Sequence, residues 1–205
     1  MKRTAVLIGI GILMALPSWL VAQESAAHEN QIEVGVYADY LRLNPTGGTP
    51  TNFVGTGGRV GFAYRHIGLE AEMNYDFARN ITSTYTNNSG STTTTTFVKT
   101  GVRPLTGLFG PVFHIGPGNF HAFVTGKVGF INFTNSNPRT VTGSQFTGAV
   151  SGVGGAGTHF AMYPGGGVEG FWGPVGLRAE VGDEVYLNNG AYNNLRVTLG
   201  PQFRF

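Results

Sequence analysis

The sequence predicts an all-β fold, an eight-stranded antiparallel up-and-down transmembrane β-barrel. Strand-length segments alternate apolar and polar residues, and the connections between them alternate between short and long. Only 12% of the 205 residues are charged, 33 are glycine, and the mean hydropathy is zero. A strand with one face in lipid averages to such a neutral hydropathy, so these values fit a membrane barrel of one domain.

The amino terminus has the features of an export signal. Lys2 and Arg3 precede an apolar run over residues 5–16 and a small residue, Ala22. We expect a cleaved signal peptide over 1–22, a short periplasmic segment over 23–31 and the barrel over 32–205. The alternative, a membrane anchor helix, needs about 20 apolar residues, more than this run has.

The charge and cysteine content bear on which partners and covalent modifications the chain can have. Without Lys2 and Arg3 the chain has 11 basic and 11 acidic residues, so nothing favours binding to nucleic acid. The chain has no cysteine, which excludes disulfides and attachment of lipid to a cysteine.

Eight segments carry the period-two pattern of strands with two different faces. The third is the clearest: Ile67, Leu69 and Met73 alternate with Glu70 and Glu72. In the last, an apolar set ending in Phe203 and Phe205 alternates with a set that contains Arg196 and Arg204. The predicted strands cover residues 32–43, 53–65, 67–77, 100–114, 119–133, 159–171, 175–186 and 195–205.

The connections predict the orientation of the barrel. Tight turns are expected at 65–66, 116–118 and 172–174, and long polar loops at 79–96 and 134–157. Five consecutive threonines in the first loop could instead extend a strand above the membrane, since threonine favours extended backbone. Short turns face the periplasm in outer-membrane barrels, so both termini are expected there and the long loops outside.

The two faces of the strands differ in charge, which predicts the lipid-facing side. The apolar face is almost free of charge, as a lipid-facing surface requires. We therefore expect a barrel interior filled by paired charges, since unpaired buried charges are costly. The predicted interior network consists of Glu33, Asp39, Arg59, Glu70, Glu72, Lys127, Glu169, Arg178, Glu180, Arg196 and Arg204.

The first and last strands are expected to close the barrel in antiparallel register. Residue numbers that pair across such a seam have a nearly constant sum. Glu33 with Arg204 gives 237 and Asp39 with Arg196 gives 235, so both pairs fit one register within a diagonal step. We predict ion pairs between these residues across the seam.

With this pattern, the chain resembles the bacterial outer-membrane β-barrel family typified by the OmpA membrane domain and OmpX. The strings FAMYPGGGVEGFW (160–172) and LRAEVGDEVYLNNGAYNNLRVTLGPQFRF (177–205) are similar to OmpA-like barrels of Gram-negative bacteria. The resemblance implies a location in the outer membrane, contact with its lipid, and recognition by the barrel-assembly machinery. It maps that recognition signal onto Val197, Leu199, Phe203 and Phe205, while Pro201 raises the question of a bulge.

No motif indicates catalysis or a cofactor. Gly152, Gly154 and Gly157 match G-x-G-x-x-G but have no βαβ unit around them. His114 and His121 could be a metal pair, yet no third ligand is close in sequence, so no metal is expected. A lipid-A deacylase would need His-x-Ser, which does not occur.

We therefore expect a non-enzymatic protein with a structural, envelope-integrity or surface-interaction role. A narrow pore for small solutes, with the interior charges lining a water path, is the alternative. A third reading is a soluble exported barrel that binds an apolar ligand.

Overall fold

The computed structural model describes residues 30–44, 50–89, 92–116, 118–135 and 157–205. No helix among these residues is long and apolar enough to cross a membrane. They form nine strand segments: β1 (Asn30–Leu43), β2 (Thr51–Tyr64), β3 (Ile67–Asp76), β4 (Arg79–Ser89), β5 (Thr92–Ile115), β6 (Phe120–Asn135), β7 (Gly157–Trp172), β8 (Val175–Leu187) and β9 (Ala191–Arg204).

The strands form a closed antiparallel barrel. Each neighbouring pair runs antiparallel, β1 pairs with β9, and β3 pairs with β5, which completes the ring. β3 and β4 pair with successive parts of the long strand β5, so they act as one wall strand. The predicted eight-stranded barrel is therefore confirmed.

The prediction of a polar loop over 79–96 is wrong. Arg79 pairs with Val102 and the ladder continues without a break in register to Ser89 and Thr92. β4 and the first part of β5 thus form a hairpin that continues the sheet past the ring. The physical reason is the one offered as the alternative: a threonine-rich segment favours extended backbone.

Parts of other predictions lie outside the described residues. These are the signal peptide (1–22), all but the last two residues of the 23–31 segment, and residues 136–156 of the second polar loop. β1 begins at Asn30, two residues before the predicted start, and β9 begins at Ala191, four residues before it.

Tight turns join the strands at one end of the barrel, which we call the turn end. Arg65 has φ 56°, Gly116 and Gly118 have φ 112° and 82°, and Gly173 has φ 66°. These left-handed backbone conformations suit glycine and reverse the chain in few residues. The other end, where β1, β6 and β8 finish, we call the loop end.

The seam between β1 and β9 keeps one register throughout. Paired residue numbers add to 237 on both sides of Pro201, as in Glu33 with Arg204 and Ala38 with Leu199. No residue is inserted, so there is no bulge; the assigned pairs are only interrupted opposite Pro201. A side-chain carbon on Gly200 would overlap the Val36 carbonyl oxygen, so the close approach of the strands there requires glycine.

The outer wall of the barrel is a belt of exposed apolar side chains. Ile32, Val60, Leu69, Phe109 and Leu177 are each about half exposed. Every one of them belongs to the apolar set of its strand. A soluble barrel has its apolar side chains inside and its polar side chains outside, and here the order is reversed. In water, this barrel would expose an unbroken apolar surface.

Candidate functional site

The candidate functional site is the charged barrel interior. Strand alternation turns every second side chain inward, and all eleven residues of the predicted network lie on that face. Ten of them are at most 6% exposed, and Arg204 lies at the turn end with its side chain 19% exposed. An eight-stranded barrel is just wide enough for such side chains to fill it.

Lys127 lies at the centre of this network. Its Nζ is 2.5 Å from a carboxylate oxygen of Glu70, 2.7 Å from one of Glu72 and 3.0 Å from one of Glu180. The ammonium group is fully buried. Three carboxylates on two different strands are thus held together by a single cation.

Two arginines complete the central cluster. Arg178 contacts Glu70 at 2.8 Å and Glu180 at 2.7 Å, and Arg59 contacts Glu180 at 3.0 Å. The Arg178 guanidinium lies 3.8 Å from the ring centre of Phe123, and that of Arg59 lies 4.4 Å from Tyr37. Ion pairing and ring contacts together replace the water that these buried charges give up.

A second cluster surrounds Arg196 nearer the loop end. Arg196 donates to both carboxylate oxygens of Asp39, the closest at 2.7 Å, and to Glu184. Asp76 lies 4.0 Å away, and Thr106 donates a 3.0 Å hydrogen bond to Glu184. The structure thus brings the proposed Asp39–Arg196 pair together across the seam.

The other proposed seam pair lies at the turn end. Arg204 Nη2 is 3.2 Å from Glu33 Oε1, and Gln202 donates a 2.5 Å hydrogen bond to Glu33 Oε2. The Arg204 guanidinium stacks 3.5 Å from the centre of the Phe171 ring. Glu169 lies 3.6 Å from Arg178 and 3.1 Å from His114.

Sequence reasoning missed two buried acids of the Arg196 cluster. Asp76 and Glu184 are both fully buried. The alternation could have identified them, because each is an even number of residues from an acid already assigned to the interior of its strand. Asp76 follows Glu70 and Glu72 in β3, and Glu184 follows Arg178 and Glu180 in β8.

An apolar cluster closes the interior at the loop end, and the sequence did not indicate it. Its rings include Phe133 and Tyr186, whose centres are 5.3 Å apart, and Tyr192 stacks on Tyr186 at 4.9 Å. The outward residues at this level, Arg42 and Asn52, are polar and exposed. The buried cluster comprises Leu41, Leu43, Phe53, Val102, Leu108, Ile131, Phe133, Ala161, Tyr163 and Tyr186.

The four residues assigned to the assembly signal lie on the outer wall, apart from the charged network. Val197, Leu199 and Phe203 are between 38% and 52% exposed, and Phe205 at the chain terminus is 76% exposed. They form one continuous apolar row along β9. In the folded barrel this row faces outward, with the rest of the apolar belt.

These features define a class, the transmembrane β-barrel with a polar, filled interior and an apolar belt. No family model and no curated protein matches the sequence. Solved structures do match. The attachment invasion locus protein Ail of Yersinia pestis, crystallised with the heparin analogue sucrose octasulfate, is 13% identical with a TM-score of 0.56. The match covers 87% of this chain and all of Ail.

Two further structures have similar scores. The amino-terminal barrel of Pseudomonas aeruginosa OprF is 14% identical with a TM-score of 0.54, over 87% of this chain and 98% of that one. Neisserial surface protein A is 10% identical with a TM-score of 0.55, over 88% and 98%. The chain thus has the fold of small outer-membrane β-barrels, which confirms the resemblance predicted from its sequence.

Proposed function

We propose that this protein is a closed, non-enzymatic barrel of the bacterial outer membrane, with a structural or surface-interacting role. The observation that carries the proposal is the filled interior. Lys127, Glu169 and Arg196 are at most 1% exposed, as are Phe53 and Tyr163 at the loop end. A side chain that lines a water path would be reachable by water, and these are not.

The proposed location in the outer membrane follows from the apolar outer wall of the barrel and from its closed sheet. The exposed apolar belt requires lipid, and a membrane-spanning sheet must close on itself because lipid cannot satisfy the backbone of an open edge. Among bacterial membranes, the fold itself supports the outer one, since the three structures described above are barrels of that kind. The export signal predicted at 1–22 agrees with this location.

The surface role rests on the β4–β5 hairpin. It continues from the loop end of the barrel, and its sequence is rich in threonine, serine and asparagine. The ladder pairs the backbone of this segment, and connecting segments at the surface often carry binding residues. We propose that this hairpin is the part of the protein that a surface partner meets.

A conductance measurement tests the closed interior. Purified protein reconstituted into planar lipid bilayers is expected to give no discrete current steps, because the charged and apolar layers block the barrel. Folding of the same sample is checked by its heat-dependent shift in gel mobility. Reproducible unitary conductance from folded protein would overturn the closed-barrel proposal in favour of a narrow pore.

A further inference from the structure

Three inward side chains at the turn end have the chemistry of metal ligands. They are Glu33 on β1, His114 on β5 and Glu169 on β7, and one ligand atom of each lies within 4.8 Å of the others. These strands are spread around the barrel, two or three strands apart. A group bound by all three would link separate parts of the wall.

The contact between His114 and Glu169 is close but is not a hydrogen bond. Nε2 and Oε1 are 3.1 Å apart, yet neither atom has a hydrogen-bond partner among the described residues. Two ligand atoms bound tetrahedrally to one metal at about 2.0–2.2 Å are themselves about 3.3–3.6 Å apart. The observed separation of 3.1 Å is close to this range, so both atoms can bind a common ion.

Other buried polar atoms at this end also lack hydrogen-bond partners. Glu169 is 1% exposed, and neither of its carboxylate oxygens makes a hydrogen bond in the described structure. The same holds for Oε1 of Gln202, also 1% exposed, and for Nδ1 of His121. A cavity of about 10 Å³ lies beside Glu33 and His114. Buried polar atoms are rarely left unsatisfied, so this grouping indicates a missing partner.

The types of side chain in the group favour a cation as that partner, because an imidazole nitrogen and carboxylate oxygens are usual ligands of Zn²⁺. The guanidinium groups nearby each contact one acid of the group: Arg204 lies 3.2 Å from Glu33, and Arg178 lies 3.6 Å from Glu169. The carboxylates of Glu70, Glu72 and Glu180 also cluster, but Lys127 already occupies their centre. At the turn end, no lysine or arginine of the described residues lies within 4.0 Å of both Glu33 and Glu169.

We propose that Glu33, His114 and Glu169 bind one divalent transition-metal ion, with Zn²⁺ the best match to one imidazole and two carboxylates. Gln202 and Arg204 fix the orientation of Glu33, as outer-shell partners of metal ligands do. The His114 side chain is 9% exposed and that of Glu169 is fully buried, so the turn end is the side from which an ion would reach the group. The ion fastens β1, β5 and β7 at the mouth of the barrel.

Calorimetric titration tests the site. Untagged full-length protein in detergent, stripped with EDTA, is titrated with ZnCl₂, and folding is checked by gel shift. Saturable binding of about one equivalent is expected, weakened at least about tenfold in His114→Gln and in Glu169→Gln. His66→Gln is the matched control, because this histidine lies in an exposed turn at the same end, and its affinity should be unchanged.

A second readout separates the site from surface binding of zinc. Co²⁺ bound by imidazole and carboxylate gives visible absorption bands, which should appear in the wild type and in His66→Gln and be lost in both site variants. If one variant does not fold, the other supplies the comparison. Absence of saturable binding, or an affinity that neither site variant changes, would overturn the proposal.

Discussion

Replacing Lys127 by methionine should destabilise the barrel more than any surface charge substitution. Lys127 lies 2.5 to 3.0 Å from Glu70, Glu72 and Glu180, and Arg59 and Arg178 are the other cations that contact these acids. Without the ammonium, three buried carboxylates face two guanidinium groups, so one negative charge is uncompensated. Leaving one buried charge unpaired costs about 3–5 kcal/mol.

A double variant isolates the electrostatic part of this cost. Glu72 contacts Lys127 and no other basic side chain within 4.0 Å in the described structure. Lys127→Met combined with Glu72→Gln leaves two acids and two guanidinium groups, so it should be more stable than Lys127→Met alone. We expect it to regain about half of the lost free energy of unfolding, on the order of 2 kcal/mol.

Urea unfolding in lipid vesicles measures these differences. Trp172 is 72% exposed on the outer wall, so its fluorescence should report transfer from lipid to water. Arg42→Gln, at an exposed outward position, is the matched charge control and should change stability by less than about 0.5 kcal/mol. Equal stability of Lys127→Met and the wild type, or a double variant less stable than Lys127→Met, would refute the reasoning.

Three further outcomes are expected. Gly200→Val should abolish refolding of the barrel in a gel-shift assay, since its side chain overlaps Val36 at the seam, whereas Gly126→Ala, in open space, should refold normally; equal refolding would contradict the seam geometry. Phe205→Ala should lower the amount of folded barrel in cells several-fold yet refold normally when purified, and unchanged cellular levels would rule out the assembly signal. An epitope inserted between Ser89 and Thr92 should bind antibody on intact cells, and binding only after lysis would reverse the proposed orientation.

The sequence predicted which side chains point outward and which point inward, because lipid outside and a polar interior impose a strict period of two. In β9, Arg196 and Arg204 face inward while Val197 and Leu199 face outward, as the alternation indicated. A slip of one residue would place every charge of the strand in lipid, so the sequence tolerates one register only.

For the β4–β5 segment a strand was only the alternative to a predicted loop, because its residues carry no apolar alternation. Polar sequence and turn-forming asparagine and glycine are typical of loops, and only the threonine run favoured a strand. The stabilising ladder from Arg79 with Val102 to Ser89 with Thr92 is a tertiary feature. Composition alone could not distinguish these two outcomes.

The apolar cluster at the loop end was missed for a different reason. Beyond the lipid, the outward face of a strand meets water, so its outward residues are polar. Its inward residues can then be apolar, which is the reverse of the pattern inside the membrane. Leu41 and Phe53 point inward while Arg42 and Asn52 point outward. The alternation continues across the boundary, and nothing in a single strand marks where the lipid ends.

Site-directed spin labelling of β9 tests the central claim most directly, that the apolar face meets lipid and the charged face fills the barrel. The chain has no cysteine, so single cysteines at positions 197, 198, 199, 202 and 203 give one label each. In vesicles, we predict high collision rates with lipid-soluble oxygen at 197, 199 and 203 and low rates at 198 and 202. The opposite pattern, or equal rates along the strand, would contradict the account.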